Sequence, residues 1–332
     1  MKRCSKCGFP LGARPGMYEE NGVCGACINL EAAKSFDWEK REQDLRDICE
    51  YAKAAHKGQE YNCVVAVSGG KDSTVIVSQL VEKYGMKPLL VTVTDEFTHT
   101  QAGTHNYQNI ARRFNLDHIT WRCEPETFRK ETLKSLKANE PLLKWIEEKI
   151  YTIPVMFAKK FGIDTVFFGE NSDFQYGSTK ELGYKHFSSD HEVDVYFYFA
   201  FEKYSEEGNR KKAKEYGFKD LEDFNEWYRQ GQIERYTQQD SIGYITHLWF
   251  KFLAFGFQRV SDIACRYVRD GLLTREQAIK LIEDHDWRLD KQSKEDVCKL
   301  VGITEKEFDS ICDERARKDI LVKDVNGNWR LK

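Results

Sequence analysis

The run Cys63-Val64-Val65-Ala66-Val67-Ser68-Gly69-Gly70-Lys71-Asp72-Ser73 decides the fold. Its first five residues are apolar and predict a buried strand. The residues that follow, Thr74-Val75-Ile76-Val77-Ser78-Gln79-Leu80-Val81-Glu82-Lys83-Tyr84, predict a helix closed by Gly85. Between strand and helix, two glycines let the backbone turn sharply and approach a ligand closely. The free N–H groups of the first helical turn then face that ligand, and the helix dipole favours negative charge there. A strand, a Gly-Gly turn and a helix start together make a phosphate site. Lys71 is expected to add a mobile cation, and Ser68 and Ser73 hydroxyl donors.

Outward from this unit the chain alternates strands and helices. A helix is predicted from Phe36 to His56, with Leu45, Ile48, Cys49, Ala52 and Ala55 on one face. Pro88–Thr94, His118–Trp121 and Asp164–Gly169 read as strands. Gly103–Asn115 and Lys144–Phe161 read as helices, the second interrupted near Pro154. This order implies an α/β fold, a parallel sheet flanked by helices. Ligands in such sheets sit beyond the carboxyl ends of the strands. Three regions should therefore converge: the glycine turn, Thr94-Asp95-Glu96, and Gly169-Glu170-Asn171. The stretch from Ser172 to Phe201 has little periodicity and is expected to be a substrate-recognition loop. Glu170, Asn171, Asp173, Tyr176 and Lys180 are its candidate substrate residues. Residues 202–235 read as short amphipathic helices on a solvated face, and Gly243–Tyr267 as one buried helical element. Thr274-Arg275-Glu276-Gln277 and Thr304-Glu305-Lys306-Glu307 are capping boxes that start further helices.

Cys4-x2-Cys7 and Cys24-x2-Cys27 form the four-cysteine zinc pattern, two knuckles offering thiolates to one tetrahedral ion. An iron–sulfur cluster is the rival. The segment is too short to bury a core, so metal binding is expected to drive its folding. The other six cysteines are scattered and read as small buried apolar residues. The expected organisation is a cysteine module over 1–35, a nucleotide domain over 36–200 and a mostly helical region over 201–332.

The 332 residues carry 51 basic and 54 acidic side chains, a formal charge of −3. That balance argues against a broad nucleic-acid surface. No apolar run reaches the ~18 residues of a membrane helix. The start lacks the apolar core of a signal peptide, so a cytoplasmic protein with reduced or metal-bound cysteines is expected.

The glycine turn is not a Walker loop, because Val65 stands where the first glycine of that loop would be. It resembles instead the PP-loop, S-G-G-x-D-S, of the N-type ATP pyrophosphatases, and Ser68, Gly69, Gly70, Asp72 and Ser73 fill the fixed positions. The resemblance implies cleavage of ATP between its α and β phosphates and transfer of AMP to a carbonyl-type oxygen. It implies ATP contacts from Ala66, Val67, Ser68, Gly69, Gly70, Lys71, Asp72 and Ser73, with Thr94 and Asp95 beside the adenosine and Gly169 near the α-phosphate. Lys71, Asp72 and Ser73 are the catalytic candidates. A Mg2+ ion on the phosphates needs oxygen ligands, and Asp72 is the candidate ligand.

A narrower resemblance spans nearly the whole length. The cysteine pairs, Val67–Ser73, Phe168-Gly169-Glu170-Asn171, Phe252-Leu253-Ala254-Phe255-Gly256-Phe257 and Arg269-Asp270-Gly271-Leu272-Leu273-Thr274-Arg275-Glu276 are similar to those of the N-acetyl sugar amidotransferases of bacterial surface-polysaccharide and flagellin-sugar biosynthesis. That family turns an acetamido group on a sugar into an acetamidino group. An amide oxygen is a poor leaving group, and adenylation makes it a good one. Ammonia then displaces AMP. The glutaminase motif Gly-x-Cys-x-Gly fails here, since Gly22-Val23-Cys24-Gly25 is followed by Ala26. A separate glutaminase, paired with synthase-like subunits, or free ammonium is therefore expected to supply nitrogen. The sugar is expected to be carried on a nucleotide. The alternative is a tRNA-thiolating pyrophosphatase, which would need a cysteine near the ATP; Cys123 is the one candidate and has no partner two residues away.

Overall fold

A computed structural model describes residues 1–169, 176–178, 182–184 and 192–332. Four of the expected site residues, Glu170, Asn171, Asp173 and Lys180, lie outside this set.

A short hairpin, β1 (Glu19–Glu20) and β2 (Val23–Cys24), opens the chain. The central sheet follows: β3 (Cys63–Ala66), β4 (Pro88–Thr94), β5 (His118–Arg122), β6 (Thr165–Phe168) and β7 (Asp194–Phe197). Its five strands are all parallel and lie in the order β5-β4-β3-β6-β7. The chain reverses direction across the sheet between β3 and β6, so the loops leaving these two strands diverge and open a crevice at their carboxyl ends. A second hairpin, β8 (Leu321–Lys323) and β9 (Trp329–Leu331), closes the chain.

Strand side chains alternate between two cores. Cys63, Val65 and Val67 pack with the helices Trp38–Ala55, Lys71–Glu82 and Gln101–Phe114. Val64, Leu89, Val91 and Val166 pack on the other face against the helix Lys144–Phe161. Burial of both faces explains why the strands read as continuous apolar runs.

The structure departs from the sequence reading at five places. Pro154 sits within an unbroken helix. A helix, Pro125–Lys137, follows β5 and was not anticipated. The aperiodic stretch after Ser172 contains β7, an edge strand too short to declare itself. Gly243–Tyr267 is two helices, Tyr244–Phe255 and Arg259–Arg269, because Gly256 adopts φ +74° and ends the first. The charged stretch after Glu202 is not a solvated face either: Glu206 is fully buried and Asp220 nearly so. Both capping boxes are present, at Thr274 and Thr304.

The cysteine segment does not stand apart. Phe9, Leu11 and Ala26 share a core cluster with Phe257, Val260, Ala264, Ala278 and Ile282 of the C-terminal helices. Among the described residues, no helix is long and apolar enough to cross a membrane.

Candidate active site and metal centre

A cleft of about 1080 Å³ opens at the carboxyl ends of the strands. The loop Ser68–Gly70, the first turn of helix Lys71–Glu82, Thr94, Asp95, Gly169 and Tyr176 all line it, as do Ala66 and Val67. The three regions expected to converge therefore do so, as far as they are described.

Gly69 carries the turn. Its φ is +77°, and a Cβ there would sit 2.8 Å from the backbone nitrogen of Tyr107. Ser68 N donates to Ser73 Oγ at 3.1 Å, and Gly70 N donates to Ser68 Oγ at 3.3 Å. These hydroxyls thus hold the loop rather than project from it. No side chain caps the helix Lys71–Glu82, so its first-turn N–H groups stay available for an anion. Gly169 lies over this turn; a Cβ there would meet the Cδ1 end of Ile76 at 3.0 Å and, in ordinary contact, Asp72 Cβ at 4.0 Å.

Lys71 differs from expectation. It is 3 % exposed rather than a mobile cation. Its Nζ lies 2.7 Å from Asp72 Oδ2, 2.9 Å from Glu206 Oε1 and 3.1 Å from the Tyr204 hydroxyl. Burial works against its charge, but Asp72 and Glu206 outweigh it and raise the pKa. Glu206 is in turn 3.1 Å from Arg266, and accepts from Tyr204 at 2.7 Å. Burial opposes its ionisation, yet Lys71 and Arg266 hold its carboxyl well below the usual range. Asp72 accepts from Asn209 Nδ2 at 2.7 Å through its other oxygen. Helix Glu206–Glu215 therefore completes the loop from behind. Sequence reasoning missed Tyr204, Glu206, Asn209 and Arg266. No local signal marks Arg266, because its helix also carries Arg259, Ser261, Asp262 and Arg269 and reads as an ordinary charged helix.

Asp95 is 8 % exposed. It accepts from Ser241 Oγ at 2.6 Å and from Phe97 N at 3.0 Å, fixing the loop after β4. Burial and the nearby Asp240 push its pKa up to about 6. Thr94 Oγ1 lies 3.3 Å from His99 Nε2 at the same end of the cleft. Tyr176 reaches the cleft between Arg259 and Arg266: its hydroxyl is 3.5 Å from Arg259, and Arg266 lies 5.1 Å from its ring centre. Next to it, Gly177 abuts the cysteine module so closely that a Cβ would be 2.2 Å from Ala26 N.

The sulfurs of Cys4, Cys7, Cys24 and Cys27 lie within 4.8 Å of one another, all buried. Cys7 and Cys24 are 3.6 Å apart. Tetrahedral zinc with bonds of about 2.3 Å places its sulfurs about 3.8 Å apart, so the donor set fits that ion. Cys24 N donates to Cys4 Sγ at 3.3 Å, and Arg269 approaches Cys7 Sγ at 3.8 Å. Both contacts favour thiolates.

Residues 222–332 match a family model described as LPS biosynthesis protein WbpG-like, C-terminal domain. A curated relative, Uncharacterized protein MJ1599 of Methanocaldococcus jannaschii, is 29 % identical over 100 residues, 30 % of this chain and 35 % of that protein. The chain thus spans about a third of the length of the curated relative it matches. Three solved structures are similar. An NH3-dependent NAD synthetase from Campylobacter jejuni, in complex with the nitrate ion, has TM-score 0.30 and 14 % identity, covering 42 % of this chain and 58 % of that one. NMN synthetase from Francisella tularensis has TM-score 0.37 and 13 % identity, covering 81 % and 94 %. Phosphoadenylyl-sulfate reductase from Candida auris, a phosphate complex, has TM-score 0.37 and 11 % identity, covering 67 % and 98 %.

Proposed function

We propose that this chain is an ATP-dependent amidotransferase that converts an acetamido group on a sugar to an acetamidino group, with AMP and pyrophosphate as by-products. The observation that carries the reading is the Ser68–Ser73 turn. It places an uncapped helix start on the floor of a large cleft at the sheet's reversal point. The match of residues 222–332 to a domain of LPS biosynthesis supports a sugar substrate.

In this reading the first-turn N–H groups after Gly70 take the phosphates, and charge that develops on the departing pyrophosphate is offset there. The amide oxygen attacks the α-phosphorus and the bond to pyrophosphate breaks, leaving an adenylated imidate. Ammonia adds to the imidate carbon, loses a proton, and expels AMP with the former amide oxygen. Lys71 acts in place, holding Asp72 and Glu206 so that the loop keeps its shape. Asp72 Oδ2 is taken by Lys71 Nζ and, at 3.4 Å, by the Tyr204 hydroxyl, whereas Oδ1 has one donor, Asn209, and keeps a lone pair, which suits a magnesium ion that retains water and phosphate ligands. Magnesium would neutralise phosphate charge. Zinc on the four cysteines would be structural, fixing the segment that backs Tyr176 and helix Arg259–Arg269. Ammonia would come from a partner glutaminase with synthase-like subunits.

The test incubates the protein with ATP, ammonium and a panel of acetamido sugars, free and nucleotide-linked. Mass spectrometry follows replacement of oxygen by NH, and chromatography follows AMP. Amidine and AMP in equal amounts support the reading; ADP formation, or AMP without amidine across the panel, counts against it.

A further inference from the structure

Part of the cleft lining beside the nucleotide loop is not used by the reaction above. There helix Arg259–Arg269 presents Arg259 and Arg266, two turns apart, and helix Tyr244–Phe255 presents Lys251. Arg259 is 5 % exposed. One terminal nitrogen donates to the Thr237 hydroxyl at 3.1 Å, and the other lies 3.5 Å from the Tyr176 hydroxyl. Its Nε has no hydrogen-bond partner. Among the described residues, no carboxylate makes an ion pair or hydrogen bond with it. Glu234 holds Arg229 and the N–H groups of Tyr236 and Thr237. Asp262 faces Lys251 at 3.9 Å, and Glu206 binds Lys71 and Arg266.

Despite burial, Asp262 and Glu234 act on the Arg259 guanidinium from a distance and favour its charged form. Yet among the described residues neither makes a hydrogen bond to it, and its unpartnered Nε leaves one side of the fork open to an anion. The start of its own helix does not serve as the anion site, because Asp286 already accepts from Gln258 N and Ser261 N. The receptor is therefore the side chain. Its fork suits two phosphate oxygens at once.

We propose that Arg259 receives a phosphate carried by the sugar, so that the substrate class is an acetamido sugar linked to a phosphate or diphosphate. This rests on the amidotransferase reading above. Arg259 lies beyond Lys71 by a relay of contacts: Lys71 to Glu206, Glu206 to Arg266, Arg266 to Tyr176, and Tyr176 to Arg259. The sugar's phosphate and the ATP phosphates then occupy neighbouring parts of the cleft, with the acetamido group between them. A free, neutral sugar would offer the open side of the Arg259 fork no anion.

The experiment saturates the protein with α,β-methylene ATP and then titrates N-acetylglucosamine 1-phosphate and inorganic pyrophosphate by calorimetry. The wild type should take up either phosphate probe at a second site. Arg259→Gln should weaken that event by about 10- to 100-fold while changing the nucleotide's affinity by less than about twofold. Arg259→Lys, which keeps charge but not the fork, should fall between. Absence of a second event overturns the proposal. Equal loss of nucleotide affinity also overturns it, because Arg259 would then serve the ATP phosphates. If the nucleotide analogue does not bind at all, the ATP reading fails. The same probes titrated on the ligand-free protein then decide: loss of binding in Arg259→Gln upholds the phosphate subsite, and unchanged binding overturns it.

Discussion

Lys71 Nζ and Glu206 Oε1 lie 2.9 Å apart, both buried, joining the glycine turn to a helix more than a hundred residues downstream. Removing one partner of a buried pair leaves the other uncompensated, at a cost of about 3–5 kcal/mol. Lys71→Ala and Glu206→Gln should each lower unfolding free energy on that scale and stop AMP formation. The double variant Lys71→Met/Glu206→Gln should regain part of the stability but none of the activity. Chemical denaturation with parallel AMP assays checks both. A Lys71→Ala protein as stable as wild type would contradict the buried pairing.

The cysteine cluster packs on helix Arg259–Arg269 through Val260, Ala264 and Cys265. One zinc per chain is the expected content by elemental mass spectrometry. Replacing Cys4 and Cys24 with Ser should release it and lower the melting temperature. The consequence should spread: amide exchange at Val260 and Ala264 should quicken, and Tyr176 should lose its backing at Gly177. Unchanged metal content would remove the zinc assignment.

Two glycines at the cleft should respond differently. Gly69→Ala forces a side chain into positive φ and against the backbone at Tyr107, costing about 1–3 kcal/mol and most nucleotide binding. Gly169→Ala crowds the Cδ1 end of the Ile76 side chain and makes an ordinary contact with Asp72 Cβ, with no backbone atom in the way, and should cost less than about 1 kcal/mol. Paired melting curves decide; equal losses would contradict the geometry.

Asp95 gives a pH signature. Its folded pKa is raised from 3.8 to about 6 by burial and by Asp240. Between those values the folded state binds a proton that the unfolded state has released. Asp95 thus contributes stability that is full below about pH 4 and is lost as pH rises through about 6. Asp95→Asn can keep contacts to Ser241 and Phe97 without titrating. Its melting temperature relative to wild type should therefore improve from about pH 4.5 to about pH 7. A difference that does not vary with pH would show that Asp95 is not held protonated.

The nucleotide half of the fold was legible because local signals and global order agree there. Val64-Val65 and Leu89-Leu90 announce buried strands, and the glycine turn announces the loop between strand and helix. Residues 202–269 were less legible, since their role is set by distant partners. Glu206 and Arg266 look like surface charges until Lys71 is seen between them and the loop. β7 is four residues long and takes its register from β6, so no local pattern marks it. Gly256 was visible, but its power to break the helix depends on a positive φ that sequence does not display.

The most direct test of the central claim follows one oxygen atom. An acetamido sugar labelled with oxygen-18 in its amide carbonyl is turned over with ATP and ammonium, and the AMP is weighed by mass spectrometry. Transfer of the label to AMP, one atom per amidine formed, is the predicted result. Unlabelled AMP, or ADP and labelled phosphate in its place, would contradict adenylation of the amide at this loop.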